Sequence, residues 1–137
     1  MLRVLALDPG GTTGWCFLAE GEMAGGSFIL WEGIAKLIKR YNPNVILYET
    51  FILRAGAAKR LIGNSFPAAQ VIGVIRYLSA EYNIPCYSQS PSMRTGIVLK
   101  PLKEFDRHAR DAAKHGIRYC IKQGFHDYDH LRAKRNG

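Results

Sequence analysis

The chain opens on a short apolar run, LRVLAL at residues 2–7, that stops at Asp8-Pro9-Gly10-Gly11. Leu and Val in a run this short, closed by turn residues, read as a buried strand entering a tight turn. The strand leaves a carboxylate, Asp8, at its end. Everything that follows in the sequence has to be placed around a sheet that contains this strand.

Residues 13–19 and 23–30 read as two further strands separated by Glu20-Gly21-Glu22, which makes an antiparallel meander of the first thirty residues. Within residues 31–41, Ile34, Leu37, Ile38 and Tyr41 recur at helical spacing. Pro43 ends that helix. Residues 44–49 (NVILYE) then form a nearly continuous apolar strand, of the kind found in a sheet covered on both faces, and it too ends in an acid, Glu49. Val71, Ile72, Ile75 and Leu78 mark a helix over residues 68–82, closed by Asn83 and Pro85. Residues 85–88 are a short fifth strand. The polar, basic stretch 88–103 reads as a loop, and 104–123 as a last helix. The order β-β-β-α-β-α-β-α predicts an α/β domain: a five-stranded mixed sheet, three strands antiparallel and the rest parallel, flanked by helices. The expected organisation is one domain over residues 1–123 and a basic C-terminal tail over 124–137, mobile at its end.

A length of 137 residues suits one compact domain. Nineteen Lys and Arg against eleven Asp and Glu leave a formal charge of +8, which favours a polyanion such as nucleic acid as partner. No apolar run approaches the roughly 18–20 residues that a membrane span needs. The first residues lead directly into a strand pattern rather than a secretory signal. A soluble, cytoplasmic protein without membrane association is expected. The three cysteines, Cys16, Cys86 and Cys120, are widely spaced in apolar sequence, which predicts buried thiols rather than disulfides or a zinc site.

Asp8 and Glu49 each stand where an apolar strand stops, so if those strands are neighbours both carboxylates leave the same edge of the sheet, where open α/β sheets bind ligands. In the last helix His108, Asp111 and His115 stand at i, i+3 and i+7 and share a face; taken alone, that face reads as a solvated stripe, and it gains meaning only if it looks at Asp8 and Glu49. Grouped carboxylates suit a hard divalent cation. Two such ions about 3.5–4 Å apart activate a water and steady the leaving oxygen of a phosphodiester. The sequence has no GxxxxGK[ST] phosphate loop, GxSxG elbow or HExxH zinc motif. Asp106 is a lesser alternative acid, because it lies on a different side of the helix from Asp111. Arg54, Lys59 and Arg60 follow the strand that delivers Glu49, and Arg94, Lys100 and Lys103 lie in a second basic segment. Both sets are candidate phosphate contacts or plain surface charge.

Leu5-Ala-Leu-Asp8-Pro-Gly-Gly-Thr-Thr-Gly14-Trp resembles the opening of the RuvC-like Holliday-junction resolvases, in which an Asp-Pro-Gly turn follows strand one and a glycine opens strand two. Val45-Ile-Leu-Tyr-Glu49 with Phe51 and the 54–60 stretch is similar to their second acid and junction-binding segment. His108-Ala-Arg-Asp111-Ala-Ala is similar to their last motif. The resemblance runs in order over most of the chain. It implies an RNase H-like fold and a homodimeric endonuclease, in a compact form often phage-encoded, that resolves branched DNA by paired nicks. It implies two Mg²⁺ ions per site, replaceable by Mn²⁺, held by Asp8, Glu49, His108 and Asp111. His108 departs from the Asp that many bacterial members carry. The resemblance also implies an apolar wedge at Phe51 that enters the junction. Competing expectations are a YqgF-like RNA-processing nuclease, a module that binds branched DNA without cutting it, and, from Asp8-x-Gly10-x-Thr12, the phosphate turn of actin-like ATPases.

Overall fold

In a computed structural model, which describes residues 1–51 and 66–134, the apolar runs assemble into one five-stranded sheet. Strands β1 (Arg3–Asp8), β2 (Thr13–Ala19) and β3 (Glu22–Phe28) form the antiparallel meander, and β4 (Val45–Glu49) and β5 (Cys86–Gln89) add to the other side of β1 in parallel. The spatial order is β3-β2-β1-β4-β5. Helices α1 (Glu32–Tyr41), α2 (Pro67–Glu81) and α3 (Arg107–Lys122) cover it.

Both faces are buried because alternate residues of the central strands point to opposite sides. Leu5, Leu7 and Ile46 pack with Ile34, Leu37 and Ile38 of α1 and Val71 and Ile75 of α2. Val4, Ala6 and Leu47 pack with Ala112, Ala113, Ile117 and Cys120 of α3. A side chain such as Ile117, with no exposed surface, stabilises the fold by roughly 1.5–3 kcal/mol.

Helix α3 starts at residue 107 because Asp106 caps it: its carboxylate accepts the Ala109 N–H at 2.8 Å and the Ser27 hydroxyl at 2.6 Å. Asp106, weighed above as a lesser alternative acid, is thus occupied in capping. The helix lies unusually close to β2. A Cβ on Gly14 would sit 1.9 Å from the His108 carbonyl oxygen, so only glycine admits the helix backbone there. The glycine that opens strand two therefore sets the distance of α3 from the sheet.

The basic segment after β5 is more structured than its polarity suggests. Residues Pro91–Arg94 form a 3₁₀ turn, and Arg118 of α3 straps it down, its guanidinium donating to the Met93 carbonyl at 3.1 Å and the Thr95 carbonyl at 2.6 Å. The stretch after Gly124, read from sequence as an aperiodic tail, is built into the domain as far as residue 134. Tyr128 is buried in the α3-side core. Lys100 and Ala133 donate backbone hydrogen bonds to Leu131 and Val98 at 2.9 and 2.7 Å. The contacts there are made between backbones and through the scattered side chains of Tyr128 and Leu131, which leave no periodic trace in sequence. Cys16 and Cys120 are buried free thiols, and Cys86 is half-buried and free.

Candidate active site

β1 and β4 run parallel with Leu7 level with Tyr48, so the next residues, Asp8 and Glu49, leave the sheet side by side. Each stands two residues beyond a side chain of the α3-side core, Ala6 and Leu47. Period-two alternation therefore aims both carboxylates at the face that α3 covers. On β5, Gln89 is level with Glu49 and is likewise buried.

The Asp8 and Glu49 carboxyls face each other closely enough to share one proton, and their surroundings favour Asp8 as the group that holds it. Burial, then the hydrogen bond and charge of Glu49 and the charge of Asp111, push Asp8 up to about 8 against the opposing pull of Arg94. For Glu49 burial acts upward too, but the facing His115 ring, the Asp8 hydrogen bond and the Arg94 charge outweigh it and hold Glu49 down at about 2. Two adjacent carboxyls that share a proton split in this way because both cannot ionise cheaply in a partly dry site.

Asp111 comes from the first half of α3, and Arg94 joins it to the strand ends. The Arg94 guanidinium lies 3.1 Å from Glu49 Oε1 through one nitrogen and 3.1 Å from Asp111 Oδ1 through the other. One turn further along α3, His115 is fully buried, with Nδ1 at 2.7 Å from Gln89 Oε1 and Nε2 at 3.5 Å from Glu49 Oε2. The cluster thus contains Asp8, Glu49, Asp111, Arg94, His115 and Gln89.

Of the expected site residues, Asp8, Glu49 and Asp111 are linked through these contacts. His108 is half-buried, and among the described residues no hydrogen bond or ion pair joins its ring to the three acids. Arg94, read from sequence as a phosphate contact or plain surface charge, turns inward to the carboxylates. Lys100 and Lys103 are exposed. Phe51 is exposed too, its ring 6.0 Å from that of Phe66. Arg54, Lys59 and Arg60 lie outside the described residues.

The donor set suits a hard divalent cation: three carboxyl groups at a sheet edge, one of them with its pKa raised by burial and by its acidic neighbours, and a guanidinium drawn in as the local cation. With Arg94 between Glu49 and Asp111, no three His, Cys, Asp or Glu side chains among the described residues converge closely enough to hold one ion. A metal there requires Arg94 to yield its place.

Thermus thermophilus RuvC in complex with a Holliday junction substrate superposes over 90% of this chain and 96% of that one, with a TM-score of 0.69 and 15% identity. The fold is RNase H-like, in the form seen in RuvC. A second Thermus thermophilus RuvC structure matches over 90% and 97% of the two chains, with a TM-score of 0.62 and 15% identity. The yeast mitochondrial Holliday junction resolvase Ydc2 matches over 94% and 81%, with a TM-score of 0.54 and 14% identity. No protein-family model matches the sequence, and no curated protein does. At such identities the likeness establishes the fold.

Proposed function

We propose that the protein is a divalent-metal-dependent endonuclease acting on branched DNA, with four-way junctions as its substrate. The observation that carries this is the meeting of Asp8 and Glu49, from adjacent parallel strand ends, with Asp111 around one guanidinium. Three acids gathered where a polyanion must approach make sense only when positive charge joins them. The chain's +8 formal charge suits a nucleic-acid partner, and the RuvC-type fold, known in complex with a Holliday junction, favours a junction over other nucleic acids.

In this reading Asp8, Glu49 and Asp111 hold Mg²⁺ or Mn²⁺, and His108 stands at the site's edge as a fourth ligand or a water-positioning group. A divalent cation bound there, or a pair of them, would supply a lowered pKa for a bound water and offset charge on the leaving oxygen. The chain's own residues prepare for it. Glu49 is kept ionised, Asp8 gives up its proton when a cation arrives, and Arg94, released from the carboxylates, is left beside the site as a free cation for a phosphate oxygen. Arg54, Lys59, Arg60, Lys100 and Lys103 are proposed backbone contacts, and Phe51 a junction wedge. Paired nicks in a two-fold branched substrate require two sites, and a homodimer supplies them. Exposed Trp31 and Tyr77 border an apolar cavity of about 460 Å³ between α1 and α2 that offers a surface for the second copy. Among the described residues no helix is long and apolar enough to cross a membrane, in keeping with a cytoplasmic nuclease.

The test is a cleavage assay on an immobile four-way junction with Mg²⁺. Wild type is expected to introduce paired nicks, and Asp8→Asn to bind the junction but leave it intact. A wild type that nicks no branched substrate ends the proposal.

A further inference from the structure

His115 belongs to no recognised motif, yet it is a fully buried imidazole one helical turn beyond Asp111, with both nitrogens turned towards residues at the strand ends. Its Nδ1 meets the Gln89 carboxamide at 2.7 Å. Its Nε2 has no hydrogen-bond partner of ordinary geometry among the described residues, and it faces Glu49 Oε2 at 3.5 Å. A buried ring nitrogen left unpaired costs about 1–3 kcal/mol. An arrangement retained at that cost calls for a reason.

The hydrogen positions follow from the partners. Carboxamide nitrogen and oxygen exchange by a half-turn about one bond, and the surrounding network decides between them. As drawn, Gln89 presents its oxygen to Nδ1; a ring that carries its single hydrogen there turns a bare Nε2 lone pair towards the Glu49 carboxylate. With the carboxamide turned, its NH₂ donates to Nδ1, and the ring hydrogen sits on Nε2 and points at Glu49 Oε2. The second arrangement sets complementary groups face to face throughout, with the Nε2–Glu49 contact, at 3.5 Å, longer than an ordinary hydrogen bond. Gln89 is fixed for this duty by its register beside Glu49 on β5.

Resting on the reading of Glu49 as a metal ligand, we infer that Gln89 and His115 form a positioning relay that holds Glu49 Oε2 and thereby presents Oε1 alone to the cation. The geometry already separates the two oxygens: Oε2 faces His115, and Oε1 faces the Arg94 guanidinium at 3.1 Å. A carboxylate fixed through one oxygen binds a metal in one orientation, and loss of such an outer partner typically weakens metal affinity about 10–100-fold. His115 does not touch the metal, so it is a positioning residue and not a ligand.

The experiment is Mn²⁺ binding, read by electron paramagnetic resonance of free Mn²⁺ without DNA, on wild type, His115→Leu and His115→Gln. The glutamine carboxamide nitrogen reaches about as far from the backbone as Nε2 and can donate to Glu49, whereas leucine fills the cavity and donates nothing. The expected result is about a 10–100-fold weaker affinity in His115→Leu and near wild-type affinity in His115→Gln. A merely structural role predicts the reverse order, since an apolar side chain suits a buried site better than an amide. Unchanged affinity in His115→Leu overturns the inference.

If His115→Leu does not fold, ¹⁵N NMR of the wild-type imidazole decides: a hydrogen on Nε2 supports the relay and a bare Nε2 overturns it. Wild-type protein that binds Mn²⁺ in this manner yet cuts no branched DNA removes the junction-nuclease reading and leaves the relay standing. Wild-type protein that binds no Mn²⁺ overturns both.

Discussion

The environment of Asp8 favours its protonated form, and that has a measurable consequence for stability. Its pKa is raised from 3.8 to about 8 by burial and by Glu49. An acid with a raised folded-state pKa contributes stability that is fully present below its unfolded value and is lost as pH rises through the folded value. The loss for Asp8 therefore falls between about pH 4 and about pH 8. Glu49, held down from 4.5 to about 2, works the other way: its contribution is present above the unfolded value and lost as pH falls through the folded one. Asp8→Asn keeps the neutral form at every pH. In chelator-treated protein its melting temperature is expected to exceed wild type at pH 8 by a few degrees, the shift that about 1 kcal/mol produces in a domain this size. The gap should close towards pH 4, where Asp8 is itself neutral. Melting curves with a constant gap from pH 4 to 8 would show that Asp8 is not the proton carrier.

Three of the six clustered residues are legible in the sequence. Asp8 and Glu49 announce themselves because an apolar run stops at each, and Asp111 because helical spacing sets it on one face with His108 and His115. Arg94 was visible only as a positive charge, since its inward turn depends on a 3₁₀ bend pinned by Arg118 from a distant helix. Gln89 lies one residue past the expected end of β5, and the part played by His115 depends on full burial, which spacing does not report.

At the scale of elements, the decisive contact is the docking of α3 on β2, because it carries Asp111 and His115 towards the strand ends. Two glycines permit it to very different degrees. A methyl group on Gly14 meets rigid backbone, the His108 carbonyl oxygen, at 1.9 Å; one on Gly116 meets the movable end of Leu18 at 2.4 Å. Gly14→Ala is expected to cost about 2–4 kcal/mol and to impair metal binding by displacing the helix start, and Gly116→Ala to cost about 1 kcal/mol. Urea unfolding midpoints give the comparison, and equal losses at the two sites would contradict the docking. The same helix shows why element order was readable and element detail was not. Its apolar spacing is strong enough to see, but its first residue is set by Asp106 hydrogen-bonding to Ala109 and Ser27, and its closeness to the sheet by the lack of a side chain at position 14.

For the whole molecule, net charge and local charge oppose each other. The chain carries +8 overall, while the candidate site gathers three acids that repel a phosphate backbone until positive charge joins them. On the proposed junction-nuclease reading, attraction comes from the rest of the basic surface and is driven by released counterions, with log affinity falling against log salt by about 0.9 per phosphate neutralised on duplex arms. If six phosphates are neutralised, affinity for a four-way junction drops about a thousandfold between 50 and 200 mM salt. Asp8→Asn allows this to be measured by fluorescence anisotropy without loss of substrate. The preference for a junction over a linear duplex of equal length is expected to persist across that range, because both ligands release counterions while only the junction offers the branched shape. Affinity that is flat with salt would mean that the basic charge does not face DNA. A preference that vanishes as salt rises would mean that charge alone, and not the shape of the branch, selects the substrate.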